Sequence, residues 1–259
     1  MQRPRFPAVM PQTQNRSGPV QKNTQGLPAK IATSPKPVPA SNQALGPGSL
    51  APRQRMLQRL VVQGVSDPLV LAALGAVERQ QFVDTALLNQ AYEDTSLPIG
   101  FGQTISKPNV VARMLELLRA GVNGRLGRVL EIGTGCGYQA AVLSHLASEV
   151  YSIERVRGLH ERARENLRAS RLPNVHLLFG DGMVGFAKGA PYAAIISAAG
   201  GDAVPQAWID QLAMGGRIVA PTATAGGQQA LVVIHKTLQG LQHSVLEAVQ
   251  FVPLKSGLA

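Results

Sequence analysis

Apolar residues along the chain follow two kinds of repeat. Met56, Leu57, Leu60, Val61 and Val65 recur on one helical face, which predicts a helix beginning near Arg53. Asp67-Pro68 joins a capping carboxylate to a proline whose missing N–H costs nothing at the first helical position, predicting a second helix to about Val77. Residues 78–107 carry few regular signals and read as a long connection, of the kind that is usually functional or disordered. From Pro108 the pattern alternates. A helix to about Arg119, with Val111, Leu115 and Leu118 on its apolar face, precedes a strand at Arg128–Ile132. Helix Tyr138–Leu146, strand Val150–Glu154, helix Leu159–Ser170 and strand Val175–Phe179 follow. A strand at Ala193–Ser197, a helix around Trp208–Leu212 and a strand at Arg217–Ala220 continue the alternation. Strands at Ala230–His235 and Val245–Phe251 end it, with no convincing helix between them. Such alternation predicts an α/β fold, doubly wound and mostly parallel, with an antiparallel C-terminal edge.

Composition changes this picture only at the N-terminus. Residues 1–52 hold 10 of the 18 prolines, and no acidic residue precedes Asp67. Prolines block helix and sheet, and little apolar surface offsets the ordering entropy, so 1–52 reads as a disordered basic extension and 53–259 as the folded domain. Arg3, Arg5, Arg16, Lys22, Lys30 and Lys36 give residues 1–50 a charge of +6, leaving +4 of the total +10 for the rest. The basic character belongs to a segment with a single aromatic residue, Phe6, and so no set of stacking groups, which argues against a nucleic-acid partner. Cys136 is alone, excluding an intrachain disulfide and cysteine-based zinc spacing. The five histidines show no ligand spacing, so no metal is expected. No apolar run reaches the ~20 residues of a membrane helix, and the first residues lack a secretory h-region. The expectation is a cytoplasmic protein.

The segment Leu130-Glu131-Ile132-Gly133-Thr134-Gly135-Cys136-Gly137-Tyr138 ends the first parallel strand and opens a helix. Glycine-rich turns of this kind serve many nucleotides, so the detail matters. A dinucleotide fingerprint wants G-x-G-x-x-G, whereas position 138 is Tyr. Glu131 would repel a pyrophosphate yet attract the ammonium and sulfonium of S-adenosylmethionine. Glu154, at the end of the next strand, can accept from both ribose hydroxyls. Asp181, followed by Gly182 at the end of the third strand, can accept from an adenine amino group. Glu131, Gly133, Gly135, Glu154, Asp181 and Gly182 therefore form the expected site for S-adenosylmethionine in a Rossmann-like class I methyltransferase sheet. Cys136 reads as a small filler of the turn rather than a nucleophile.

Gln103-Thr104-Ile105-Ser106-Lys107-Pro108 puts hydroxyls just before a helix start. Ser106 could be a plain N-cap, or the hydroxyls and free helix N–H groups could form an anion site for a carboxylate. The residues alone leave both open. The order F-V-D at 82–84, L-P-I-G-F-G-Q-T-I-S-K-P at 97–108, V-L-E-I-G-T-G-C-G-Y-Q at 129–139, G-D-G at 180–182 and E-A-V-Q-F-V-P-L at 247–254 resembles bacterial protein-L-isoaspartate methyltransferases. The resemblance spans roughly residues 53–259. It implies a monomeric cytosolic repair enzyme acting on isoaspartyl proteins and peptides, with Ser106 in the active site and Thr104 beside it. Ile105, Thr222 and Gln229 follow as candidate substrate contacts. Thr222, Ala223, Gly200 and Gly201 depart from the family's usual pattern and leave local loop contacts open. Two other readings compete. An RNA or small-molecule methyltransferase would need an aromatic clamp or amine site after the fourth strand, where Ser197–Gly201 offers neither. A cofactor-binding module without catalysis would have lost Ser106 or Glu154.

Overall fold

The computed structural model describes residues 50–259. The expected basic extension lies outside these residues except for Leu50, Ala51 and Pro52, which already belong to helix α1 (Leu50–Val62). Helix α1 thus begins three residues before Arg53. Pro52 is no obstacle there, because the N–H it lacks has no partner in a first helical turn. Helix α2 (Pro68–Ala76) starts as its capping signal predicts: the Asp67 carboxylate accepts from Leu69 N at 2.8 Å and Val70 N at 3.2 Å. Its other oxygen accepts from Arg119 Nε at 2.8 Å, tying α2 to helix α3 (Pro108–Arg119).

The connection before α3 is more ordered than its sequence suggests. Two short 3-10 turns, Arg79–Phe82 and Thr85–Gln90, lead into a hairpin of β1 (Leu97–Gly100) and β2 (Gln103–Ile105). Only two residues, Phe101 and Gly102, join the strands, and both have positive φ, 55° and 67°. That is the backbone a tight hairpin turn requires. The strands are only four and three residues long and β1 includes Pro98 and Gly100, so the alternation of buried Leu97 and Ile99 is too short to mark a strand.

The sheet contains β3 (Leu126–Ile132), β4 (Ala147–Glu154), β5 (Val175–Phe179), β6 (Tyr192–Ser197), β7 (Leu212–Ala223), β8 (Gln229–Thr237) and β9 (Gly240–Val249). Their order is β5-β4-β3-β6-β7-β8-β9, parallel from β5 to β7 and antiparallel for β8 and β9. Strand alternation splits the core between the two faces. Val129, Val150, Ala194 and Val219 pack with α1, α2, α3, α4 (Tyr138–Leu146) and α5 (Arg157–Arg168). Leu130, Ile132, Ile195 and Ile218 pack on the other face with Trp208 of α6 (Gln206–Gln211). The chain leaves β3 toward β4 on one side and reaches β6 on the other, so the strand order reverses at β3. In open α/β sheets, ligands bind in the crevice beyond the strand ends at that reversal.

Candidate functional site

The glycine turn after β3 sits at this crevice. Gly133, Gly135 and Gly137 all have positive φ, at 88°, 56° and 91°, a conformation that side-chain-bearing residues adopt at a cost. Gly137 caps α4, and a Cβ there would press on Leu167 at 3.1 Å. The turn is held by backbone bonds from Gly133 N and Thr134 N to Ile153 O. Glu154, the last residue of β4, completes the hold: Oε2 accepts from Gly135 N and Oε1 from Val156 N, each at 2.9 Å.

A cleft of about 510 Å³ opens here, lined by Gly133, Gly135, Glu154, Gly182 and the hairpin residues Ile99, Phe101 and Thr104. The chain's last segment forms its far wall through Val252–Lys255 and Ala259. That segment is fastened along the strand ends. Leu254 N donates to Gly200 O at 2.8 Å, Gly257 N to Asp181 Oδ2 at 2.7 Å, and Ala259 N to Arg155 O at 2.9 Å.

Of the three acids expected to face a cofactor, only Glu154 lines this cleft. Glu131 is fully buried one residue short of the strand end, on the same sheet face as Val129. Its direct neighbour across the sheet is Ser152, whose hydroxyl donates to Glu131 Oε2 and contacts Thr134 Oγ1 at 2.6 Å. Burial pushes the Glu131 carboxyl up to about 8, against the opposing pull of the Ser152 bond. A carboxyl so placed does not line the cleft, and its Oε1 is buried without a hydrogen-bond partner. Asp181 is also away from the cleft wall. It caps the short 3-10 turn Gly182–Val184 through Met183 N at 2.8 Å and accepts from Gly257 N. Gly182 does line the cleft, packed so closely on Ile132 that a Cβ would lie 2.5 Å from Ile132 Cγ2.

A second, larger cavity of about 1010 Å³ is a groove between the hairpin and the β8–β9 edge. Thr104, Ser106 and Lys107 face Gly227–Gln229 and Ala248–Val252 across it. The groove and the cleft share Thr104, Ala198 and Val252 in their walls. Thr104 is exposed and Ser106 half-buried, so the hydroxyl-bearing segment stands where the cavities meet. Ile105 is buried and lines a small void with Ser106, Gly133 and Gln139. Gln229 lines the groove while its amide spans Phe251, accepting from its N–H at 2.7 Å and donating to its carbonyl at 3.3 Å. Thr222 is buried in β7 and lines neither the cleft nor the groove.

Ser106 is not the helix cap. Lys107 holds that position in α3, without a side-chain bond, and Pro108 is the first helical residue. Nor are the helix N–H groups all free for an anion, since Asn109 N donates to Asp94 Oδ1 at 3.0 Å. What fixes Ser106 is Arg79. This guanidinium is fully buried, donates from Nη2 to Ser106 O at 2.7 Å and from Nε to Ala91 O at 2.8 Å, and lies 4.9 Å from the Tyr138 ring centroid. Burial lowers its pKa from the usual arginine value. Nothing in sequence spacing singles out Arg79, because its partners are carbonyl groups 12 and 27 residues away. Cys136 is buried, and desolvation pushes its thiol up to about 11, so it fills space as an unionised group. Among the described residues, no three His, Cys, Asp or Glu side chains gather as metal ligands, and no helix is long and apolar enough to cross a membrane.

Comparison with known proteins gives a consistent result. The family model for protein-L-isoaspartate(D-aspartate) O-methyltransferase matches residues 51–259. A protein-L-isoaspartate O-methyltransferase of Methylibium petroleiphilum is 54% identical over 259 residues, covering 98% of this chain and 96% of its own. One from Leptothrix cholodnii is 60% identical over 209 residues, covering 79% and 74%. A solved protein-L-isoaspartate O-methyltransferase superposes with a TM-score of 0.71 at 30% identity, over 80% of this chain and 67% of that one. A Plasmodium falciparum structure described as a complex with S-adenosyl-L-homocysteine shares the fold, with a TM-score of 0.69 at 24% identity, over 78% and 98%. The chain belongs to the protein-L-isoaspartate(D-aspartate) O-methyltransferase family.

Proposed function

We propose that the cleft beside Gly133, Gly135 and Glu154 takes S-adenosylmethionine and that the adjoining groove takes the isoaspartyl segment of a damaged protein. The enzyme is an S-adenosylmethionine-dependent protein-L-isoaspartate O-methyltransferase, which methylates the α-carboxylate of the isoaspartyl residue; the division of that work among residues is the proposal. The residues fit the cofactor. Glycines allow close backbone approach on one side, and a carboxylate at the strand end keeps lone pairs for a ribose diol beyond its two backbone partners.

When bound, S-adenosylmethionine supplies an electrophilic methyl group on a sulfonium. The acceptor is a carboxylate with a reference pKa of about 3.5–4, so it is ionised at neutral pH and needs no general base. The protein's task is then alignment of that oxygen. Thr104 and Ser106 suit it, because neutral hydroxyls orient a carboxylate without quenching its nucleophilicity as a buried cation would. Arg79 contributes indirectly by holding the Ser106 carbonyl. The single observation carrying this reading is that cleft and groove share Thr104 in their walls, with Ser106 two residues on. Work in the cytoplasm as a monomer rests on the family resemblance alone.

Paired peptides that differ only in an isoaspartyl or an aspartyl linkage, with labelled cofactor, test the substrate. The isoaspartyl peptide should be labelled and the aspartyl peptide almost not at all. Equal labelling would refute the reading.

A further inference from the structure

The net charge of residues 50–259 gathers on one helix. With six of the 25 Lys and Arg residues lying before residue 50, the remainder holds 19 against 15 Asp and Glu, a net +4. Residues 155–171, which comprise α5 and its flanks, hold six arginines against Glu161 and Glu165, also a net +4. Everything else in 50–259 therefore sums to zero. Packing accounts for two of the six. Arg162 Nη1 donates to Ile99 O at 2.6 Å, and Arg155 Nε donates to Gly257 O at 2.8 Å. Arg157, Arg164, Arg168 and Arg171 are exposed. Leu159, Ala163 and Leu167 form the buried stripe of α5; Arg157, Arg164 and Arg168 recur at helical spacing on the face turned away from it, and Arg171 follows just past the helix. Among the described residues only Arg168 of these four has an ionic neighbour, Glu165 at 3.8 Å, and both of those side chains are largely exposed, where a pair contributes little. A cation near the C-terminal end of a helix complements its dipole, but Arg157 stands at the first position and opposes it. Helix stability thus leaves the face unexplained.

We propose that the arginine face of α5 is a second docking surface, which engages acidic stretches of the substrate polypeptide outside the isoaspartyl residue. Unpaired guanidinium groups are built to hold carboxylates. A polypeptide suits the face better than a nucleic acid does. Glu161 and Glu165 interrupt the positive charge, which discrete carboxylates tolerate and a continuous phosphate backbone does not, and α5 has no Phe, Tyr or Trp on which a base could stack. The β1–β2 hairpin links this face to the groove: β1 is bonded to α5 through Ile99 O, and β2 brings Thr104 into the groove wall. A flexible run of about twelve residues spans roughly 20 Å, so one chain can hold its isoaspartyl residue in the groove and an acidic stretch on α5. The gain is one of effective concentration and leaves the chemical step alone. This role rests on the reading of the groove as the isoaspartyl site.

Two isoaspartyl peptides test this on the full chain. Both carry a Gly/Ser linker of about twelve residues, followed in one by a Glu stretch and in the other by a Gln stretch. At low salt the parent should show a KM roughly five- to tenfold lower for the Glu-tailed peptide, with equal kcat, and the difference should vanish at about 0.5 M salt. Combining Arg164→Gln, Arg168→Gln and Arg171→Gln should bring the two KM values within about twofold of each other, while kcat and the KM for the Gln-tailed peptide stay as in the parent. Lysine at the same three positions should keep the preference, because charge at an exposed surface is what acts. The basic extension is present in every protein compared, so the differences report the helix. Equal KM values in the parent, or a preference that the triple Gln variant retains, would overturn the inference. So would a single-stranded RNA that binds the parent more tightly than the Glu-tailed peptide and loses that binding in the triple Gln variant, which would assign the face to nucleic acid. If the Gln-tailed peptide is turned over and only the preference is missing, the role of α5 alone falls. If the parent methylates neither peptide, the reading of the groove falls and takes this role with it.

Discussion

The cleft and the groove meet at one threonine but are built in opposite ways. Around the cleft, each acidic side chain is anchored by at least one hydrogen bond, although Glu131 Oε1 is left without a partner. Glu154 binds two backbone N–H groups, Glu131 binds Ser152, and Asp181 binds Met183 and Gly257. Around the groove, Thr104, Lys107 and Gln228 are exposed, and Ser106 is fixed through its carbonyl rather than its hydroxyl. On the proposed assignment, the cleft is a preformed mould for the cofactor, whereas the groove offers open hydroxyls and loop edges to a polypeptide. A repair enzyme needs that division, since its cofactor is constant and its substrates share only one abnormal linkage.

The contrast breaks most readily at Glu154. Glu154→Ala removes a ligand group and also releases Gly135 N and Val156 N, so cofactor binding should weaken by about 1.5–3 kcal/mol. The KM for peptide should change far less. Calorimetry on the folded variant checks the first value and steady-state kinetics the second; a larger change for peptide would erase the distinction between the two halves.

Glu131 sharpens the comparison in a different currency, stability. In the unfolded chain a glutamate ionises near its reference value of about 4.3, while in the folded protein this one keeps its proton up to about 8. Between those values the unfolded state gives up a proton that the folded state retains. The stability contributed by the neutral acid is therefore full below the unfolded value, declines as pH rises toward the folded value and levels off above it. Glu131→Gln removes that slope. Urea unfolding at pH 5 and pH 9 should show the variant gaining on the parent by about 4 kcal/mol between the two. Parallel pH dependence in the two proteins would mean that Glu131 is ionised when folded.

The smallest effect is expected on the groove side. Because Lys107 and not Ser106 caps α3, Ser106→Ala should alter unfolding free energy by less than about 0.5 kcal/mol. A loss near 1 kcal/mol would restore a capping role to the serine.

How far the sequence could be read follows the same division. Helix α4 and strand β5 lie within the limits their apolar patterns predict, and the Asp67 cap forms as expected. The three acids are legible as strand-end residues, but a one-residue difference in depth separates the one that lines the cleft from one that does not. Glu154 ends its strand and lines the cleft, whereas Glu131 precedes Ile132 and is walled in beside Ser152. The hairpin escaped periodicity because its strands are four and three residues long, too short for their buried residues Leu97, Ile99 and Ile105 to form a pattern. Arg79 escaped because carbonyl partners leave no charge pattern. The apolar pattern marks only Arg217–Ala220 of the long β7 (Leu212–Ala223), since Gly215 and Gly216 interrupt it.

The central claim is that Ser106 acts on the methyl acceptor and the cleft residues act on the cofactor. The direct measurement is the rate of methyl transfer by Ser106→Ala to an isoaspartyl peptide at saturating S-adenosylmethionine, normalised to active protein by cofactor titration. A rate lower by roughly tenfold or more, from loss of acceptor alignment, with cofactor affinity unchanged, is the predicted result. The parent's rate in that assay would contradict it.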